Sequence, residues 1–294
     1  MRRDDYPSLY RCSDAASRTC QRRYLYAVKA HLGLLAATGL IACWTPVSPR
    51  WDRAVSVSIA LTMLAALIVG LVLKFAKLDD AWFRARAFAE NAKNAAWRFM
   101  MTPAQTDHVE LEKEEKAFVE ELQKVRDRFP QVERHLSKHQ DNGAEITSKM
   151  REMRTCPVQE RLDFFKKHRL RDQIRWYMRK AKANANAEER WFWAILAADG
   201  LAVAAAVTRL VCSVDYNPTG GIAALAACLL AWTQTKRFSD LANTYGVAAR
   251  DLNGIATLAD HARDEAGLRR LGEEIEAAVS REHRLWVERA NLTA

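Results

Sequence analysis

Residues 54–73, AVSVSIALTMLAALIVGLVL, form a run of 20 residues without a formal charge. At about 1.5 Å per residue, a helix of that length crosses a hydrocarbon core roughly 30 Å thick. Inside such a core, backbone amides find partners only within helices or closed barrels, so the run predicts a transmembrane helix. Three further apolar segments accompany it. Residues 30–47 are shorter and run out at Pro46, residues 191–214 carry Asp199 and Arg209, and residues 216–235 hold no charge. The mean hydropathy of −0.27 therefore averages two materials, apolar segments and a heavily charged remainder.

The four segments form an internal duplication. At an offset of 161 residues, Leu34-Leu35-Ala36-Ala37-Thr38-Gly39-Leu40 falls on Ile195-Leu196-Ala197-Ala198-Asp199-Gly200-Leu201, and the second apolar segments also superimpose. Allowing two more residues, Leu78 and Trp82 fall on Leu241 and Tyr245. A twice-used unit of hairpin plus amphipathic helix accounts for this better than four unrelated stretches. Basic residues set the orientation. Sixteen Lys and Arg, among them Arg22, Lys29, Lys74, Arg179, Arg190 and Lys236, flank the hairpins on the side of the termini and the central region, whereas the two short loops hold only Arg50, Arg53 and Arg209. The positive-inside rule places both termini in the cytoplasm of a multi-pass protein. Leu40-Ile41-Ala42-Cys43 also has the outline of a lipoprotein cleavage site. The long basic leader, Trp44 beside the cysteine and the uncleavable second copy argue against that reading.

Outside the membrane the apolar residues keep helical spacing. Leu78, Trp82, Ala85, Ala89, Ala92, Ala96 and Phe99 make one stripe, and the absence of Pro and Gly from residues 71 to 101 predicts an unbroken stalk. The second copy repeats it with Leu241, Tyr245, Ala248, Leu252 and Ile255. A last stripe of Leu268, Leu271, Ile275, Ala278 and Leu285 can fold back on it. Thr102-Pro103 reads as a helix start, Phe129-Pro130 as a stop, Gln140-Asp141-Asn142-Gly143 as a turn, and residues 159–190 as one helix. The expected fold is an all-α integral membrane protein: two transmembrane helical hairpins, hence four transmembrane helices, with long amphipathic cytoplasmic helices in a bundle or coiled-coil stalk. Residues 1–101 make the first unit, with a basic tail, a hairpin at about 30–75 and an amphipathic helix at 76–101. Residues 102–158 connect. Residues 159–294 make the second, with a leading helix at 159–190, a hairpin at about 191–235 and a C-terminal helical hairpin at 236–294.

Catalytic constellations are absent from this pattern. No phosphate loop, dinucleotide fingerprint, nucleophile elbow or H-E-x-x-H is present, so no enzymatic activity, metal or cofactor is expected. His135 and His139 share a helix face but stand in a polar stretch without a third ligand. The six cysteines are scattered, which predicts reduced thiols. Acids and bases interleave throughout the cytoplasmic part, so the net charge of +9 points to anionic lipid rather than to nucleic acid. Asp199 is the sharpest residue, because a carboxylate in a membrane helix costs roughly 2.5–3.5 kcal/mol on insertion scales. Either it lines a polar path, with Arg209, Thr38, Ser58 and Thr62 as further lining residues, or it bonds locally while Arg209 snorkels outward. Small residues recur every fourth position: Ser58, Thr62, Ala66 and Gly70; Ala194, Ala198, Ala202 and Ala206; Ala223, Ala227 and Ala231. These ridges let helices approach closely, within a hairpin or between subunits.

The segment RLRDQIRWYMRKAKAN, residues 169–184, followed by a membrane hairpin, Trp232-Thr233-Gln234, Tyr245 and then Glu282, His283 and Trp286, resembles the SLATT family of two-transmembrane effector domains. Asp172, Gln173, Trp176, Tyr177, Lys180, Ala181 and Asn184 carry the motif before the hairpin, and Trp176 and Tyr177, ahead of the membrane segment, read as aromatic anchors at its interface. The first half resembles a divergent copy, through Arg22-Arg23-Tyr24 before its hairpin and Ala89-Glu90-Asn91-Ala92-Lys93 after it. The resemblance implies a membrane effector of a bacterial conflict or antiphage defence system, seated in the inner membrane. It implies oligomerisation, pore formation or membrane perturbation, abortive infection, and a nucleotide second-messenger sensor or synthase as partner. A membrane scaffold that tethers a sensor or signalling enzyme is the alternative. A secondary transporter would need more helices and more buried acids than these.

Overall fold

The computed structural model describes residues 1–44, 49–139, 142–212 and 217–291, with side chains described as far as residue 279. The segment ends at Pro46, Val47, Val214 and Tyr216 and the turn residues Gln140 and Asp141 lie outside that set. Every regular element among the described residues is helical: α1 (Ser8–Ala42), α2 (Pro49–Ala76), α3 (Leu78–Met101), α4 (His108–Asp127), α5 (Glu133–Leu136), α6 (Ser148–Thr155), α7 (Val158–Phe165), α8 (Asp172–Cys212), α9 (Thr219–Lys236), α10 (Phe238–Leu258) and α11 (Glu265–Asn291). Among the described residues, three helices are long and apolar enough to cross a membrane, and they lie within Ser8–Ala42, Arg50–Met101 and Val158–Cys212.

The chain divides into two compact units. A charged unit takes residues 1–21, 79–181 and 243–294, and an apolar unit takes residues 22–78 and 182–242. Each unit draws on both halves of the sequence, so neither is a tandem copy folded by itself. Inside the charged unit, the alanine stripe of α3 is sealed: Ala85, Ala92, Ala95 and Ala96 are fully buried. Around it the predicted stripes of α10 and α11 supply Ala248, Leu252, Leu268, Leu271, Ile275 and Ala278 to one core with Phe118, Leu122, Met150, Leu162 and Leu170. Alanines let the helices close on one another, and the larger residues come from their partners.

Three local expectations need correction. The stalk is not continuous, because Lys77 at φ 43° breaks the chain between α2 and α3, and Arg237 at φ 50° does the same between α9 and α10. A non-glycine residue in the left-handed region costs roughly 1–2 kcal/mol, so Pro and Gly were the wrong residues to look for. Residues 102 and 103 do not start a helix. The start lies at His108, where the Asp107 carboxylate accepts from the Val109 amide at 3.2 Å. Finally, residues 159–190 are not one α-helix, since a π-helical turn at Lys166–Arg171 joins α7 to α8.

The C-terminus of α3 is where the charged unit is tied together. Its last carbonyls have no partners within the helix. Arg161, only 1% exposed, donates Nη1 to the Met101 carbonyl, Nε to the Cys156 carbonyl at 3.1 Å and Nη2 to Glu265 at the start of α11. Arg154 donates Nε to the Thr102 carbonyl at 3.1 Å, pairs with Glu114 on α4, and lies over the Phe99 ring at 4.2 Å. Arg98 links α3 to Glu276 at 2.7 Å and to Glu121. Arg161→Met keeps the apolar stem of the side chain but leaves two carbonyls and a carboxylate without their guanidinium partner. It is expected to lower the unfolding free energy by about 2–3 kcal/mol, read as an earlier denaturant midpoint of the detergent-solubilised chain.

Candidate functional site

The apolar unit brings one hairpin segment from each half of the sequence together. Thr38 on α1 donates to its own turn, the Leu34 carbonyl at 2.8 Å, and meets the Thr62 hydroxyl of α2 at 2.8 Å. One turn further on, His31 Nδ1 meets the Ala66 carbonyl at 3.0 Å, and Gly70 lies against the same imidazole. Thus Thr62, Ala66 and Gly70 face α1, whereas Ser58 is exposed and returns its hydroxyl to the Ala54 carbonyl. The approach of α1 to α9 is closer still. A β-carbon on Gly39 would stand 2.7 Å from that of Ala224, and one on Gly221 would stand 2.8 Å from the Gly39 carbonyl oxygen. Cys43 is buried at this crossing. Its thiol donates to the Gly39 carbonyl at 3.2 Å, and its sulfur accepts from the Gly221 amide at 3.1 Å, one of the amides left open at the start of α9.

The other ridge residues are less enclosed. On α8, Ala198 is buried, Ala194 and Ala202 are half-buried and Ala206 is exposed; on α9, Ala223 and Ala227 are exposed and Ala231 is half-buried. Asp199 and Arg209 are both exposed on α8. Around Asp199 stand the exposed apolar side chains of Phe192, Trp193, Leu196, Leu201 and Val203. At the other end of α9, Trp232 meets Trp191 edge-on at 6.4 Å, with the Lys29 and Lys236 ammonium groups at 5.2 and 5.9 Å from its ring centre. Tryptophan with lysine around it is the chemistry of a membrane–water interface. Gln234 is exposed beside it.

The motif before the hairpin does something different from what its sequence suggests. Trp176 and Tyr177 read as interface anchors, but Tyr177 is 1% exposed in the core of the charged unit. The two rings pack with Tyr245 of α10 at 5.5 and 5.7 Å. Arg86 and Lys180 lie 5.9 and 5.8 Å from the Trp176 ring centre. Asp172 pairs with Arg175 at 2.5 Å, and together with Gln173 and Trp176 it lines an open cavity of about 800 Å³ in the charged unit. Ala181 and Asn184 are half-buried on α8. Glu282, His283 and Trp286 lie beyond residue 279, outside the described side chains. His135 points its Nδ1 at the Cys20 sulfur, 3.7 Å away, and no cluster of three metal-ligating side chains occurs among the described residues. Sequence reasoning gave no role to His31, took Cys43 only as part of a lipoprotein-like outline, and met Lys93 and Arg169 only inside the family-like segments. Only the first two carried a signal, as polar residues inside an apolar segment.

Apolar helices of bilayer length joined to a charged helical unit define a helical membrane protein. Two family models match it: SMODS and SLOG-associating 2TM effector domain 3 over residues 7–162, and SMODS and SLOG-associating 2TM effector domain 1 over residues 165–286. The first alone covers more than half of the chain, and the protein belongs to the SLATT family, with two such domains in tandem. No curated protein and no solved structure matches it. Since Gly39 and Gly221 permit the α1–α9 crossing, Gly221→Val is expected to separate these helices while leaving the charged unit folded. A disulfide trap between Gly39→Cys and Ala224→Cys should form readily in the parent and lose most of its yield in the Gly221→Val background.

Proposed function

We propose that the protein is a four-span effector of the bacterial inner membrane, with both termini in the cytoplasm, that assembles with further copies of itself and permeabilises the bilayer. In this reading α9 is the fourth span, and the protein acts through assembly rather than catalysis. The setting is a conflict or antiphage defence system in which permeabilisation aborts infection, with a nucleotide second-messenger sensor or synthase as upstream partner. The observation that carries the reading is Asp199. Its carboxylate lies on the outer surface of a single chain, among side chains suited to lipid, and it has no ion-pair partner among the described residues. Facing acyl chains would cost a few kcal/mol per copy, roughly 2.5–3.5 on insertion scales, whereas a second copy or a water-filled path removes that cost. The exposed alanines of α8 and α9 offer the flat faces on which such copies pack.

Orientation has a natural probe. Cys212 is exposed at the end of α8, and Cys156 lies in the charged unit. In spheroplasts, a membrane-impermeant maleimide is expected to label Cys212 directly and Cys156 only after permeabilisation; the reverse pattern would invert the topology. Permeabilisation has its own test. Expression of the full chain is expected to depolarise the inner membrane, with crosslinked species larger than the monomer. Asp199→Asn should cut depolarisation at least about tenfold at equal membrane abundance, as expected for loss of a functional intramembrane charge. Depolarisation untouched by that change would remove Asp199 from the pathway. A chain that stays monomeric and leaves the potential intact when active would instead support a tethering scaffold.

A further inference from the structure

The cavity in the charged unit is where three helix faces meet. Tyr10, Asp14 and Arg18 lie along α1, Arg86, Glu90 and Lys93 along α3, and Asp172, Trp176 and Arg179 along α8, each set spaced at one helical turn. The start of α1 is fixed there by the chain beyond α5: the Ser8 amide donates to the Ala144 carbonyl at 3.2 Å and the Leu9 amide to Glu145 at 3.1 Å. The π-helical turn adds Arg169 from below. Such turns are rare, and they recur where a side chain has to be aimed.

The charges in this cavity do not cancel. Its three acids each have a basic neighbour: Asp14 with Arg18 at 2.9 Å, Glu90 with Arg86 at 3.0 Å, and Asp172 with Arg175 at 2.5 Å. Lys93, Arg169 and Arg179 remain without an acidic partner among the described residues. Arg169 is 3% exposed. One arm of its guanidinium donates to the Asn94 side-chain oxygen at 2.5 Å, and the other, Nη1, is buried without a partner. Leaving a buried charged donor unpaired is costly, and it is a feature of sites that expect a ligand. Lys93 points the same way. Burial pushes its amine down to about 8, Arg169 and Arg86 push it further, and Glu90 and Asp14 oppose them. Tyr6, Tyr10 and Trp176 supply aromatic surface beside these cations, in a volume of the size that small-molecule sites occupy.

We propose that this cavity binds a soluble nucleotide, its phosphates held by Lys93, Arg169 and Arg179 and its base set against Tyr10 and Trp176. The assignment concerns binding alone and stands whether or not the chain permeabilises a membrane; it rests on the reading above only in giving the cavity a cytoplasmic supply of ligand. A phosphate has oxygens enough to accept from a forked guanidinium and an ammonium together, and a flat ring suits the aromatic wall.

The experiment titrates the full chain in neutral-lipid nanodiscs with a panel of ribonucleoside mono-, di- and triphosphates, and separately with inorganic phosphate, by calorimetry. At least one nucleotide is expected to bind, more tightly than inorganic phosphate. Lys93→Met and Arg179→Gln should each weaken that nucleotide at least about tenfold, the effect of removing one charge-assisted bond. Lys93→Met also carries its own control for folding. Because burial disfavours the charged amine, the wild-type penalty is full below about 8 and disappears as pH rises to the ordinary 10.5. The variant should therefore melt higher than the parent at neutral pH while binding less, with the gain in melting temperature fading toward pH 10.5. No binding across the panel overturns the proposal. So does equally tight binding of inorganic phosphate, or nucleotide binding that both substitutions leave unchanged. Binding only to nanodiscs made with phosphatidylglycerol would assign these cations to the lipid surface and overturn it as well. A chain that depolarises membranes yet binds no nucleotide loses this inference and keeps the function proposed above.

Discussion

Three guanidinium groups, those of Arg154, Arg161 and Arg169, are held inside the charged unit with at most a few per cent of their surface in water. A buried cation is tolerated only where donors meet acceptors in number, and this requirement explains why the elements around α3 sit where they do. Arg154 and Arg161 close the open carbonyls at the end of α3 and, through Glu114 and Glu265, fix the starts of α4 and α11. Arg154 leaves its Nη1 buried without a partner, and Arg169, on the π-helical turn, goes further in having no carboxylate partner among the described residues. Half of its fork is paired with Asn94 and half is not, so the same device that ties the unit at one end leaves an open acceptor requirement at the other.

Period and charge were legible from residues alone. The stripes of α3, α10 and α11 are buried at Ala85, Ala92, Leu252, Leu268 and Ile275, as their spacing required, and the family was readable from the D-Q-x-x-W-Y pattern at residues 172–177. What escaped was backbone that departs from its residue type. Lys77 and Arg237 adopt the left-handed conformation that glycine would take freely, and nothing in FAKLD or TKRFS announces it. The π-helical turn escaped for the same reason, since one extra residue in a turn leaves the apolar period nearly intact. Its effect on Arg169 is large all the same.

The candidate site was legible in a more uneven way. Asp199 stands out in any reading, because a carboxylate among apolar residues needs an explanation. Trp176 and Tyr177 stood out too, but for a role they do not have, since an aromatic pair beside basic residues looks alike at a lipid interface and in a packed core. Only the contacts with Tyr245 separate the two. Lys93 and Arg169, two bases among 45, carried no signal of a site beyond lying in the family-like segments. Their distinction is where the fold puts them, on separate elements about one cavity and without an ion-pair partner among the described residues.

The Gly39–Gly221 crossing joins the first apolar helix of the chain to the last. α9 is 18 residues long and is not one of the three helices apolar enough to be assigned to the membrane by themselves. Its glycine amide donates to the Cys43 sulfur, and the lack of a side chain at Gly221 leaves room for the Gly39 carbonyl, both made some 180 residues earlier in synthesis. If α9 is the fourth span, as proposed above, the order of translation matters: a segment that would enter lipid reluctantly alone emerges after its partner is already in place. In that reading the duplication supplies, within one polypeptide, the escort that α9 needs.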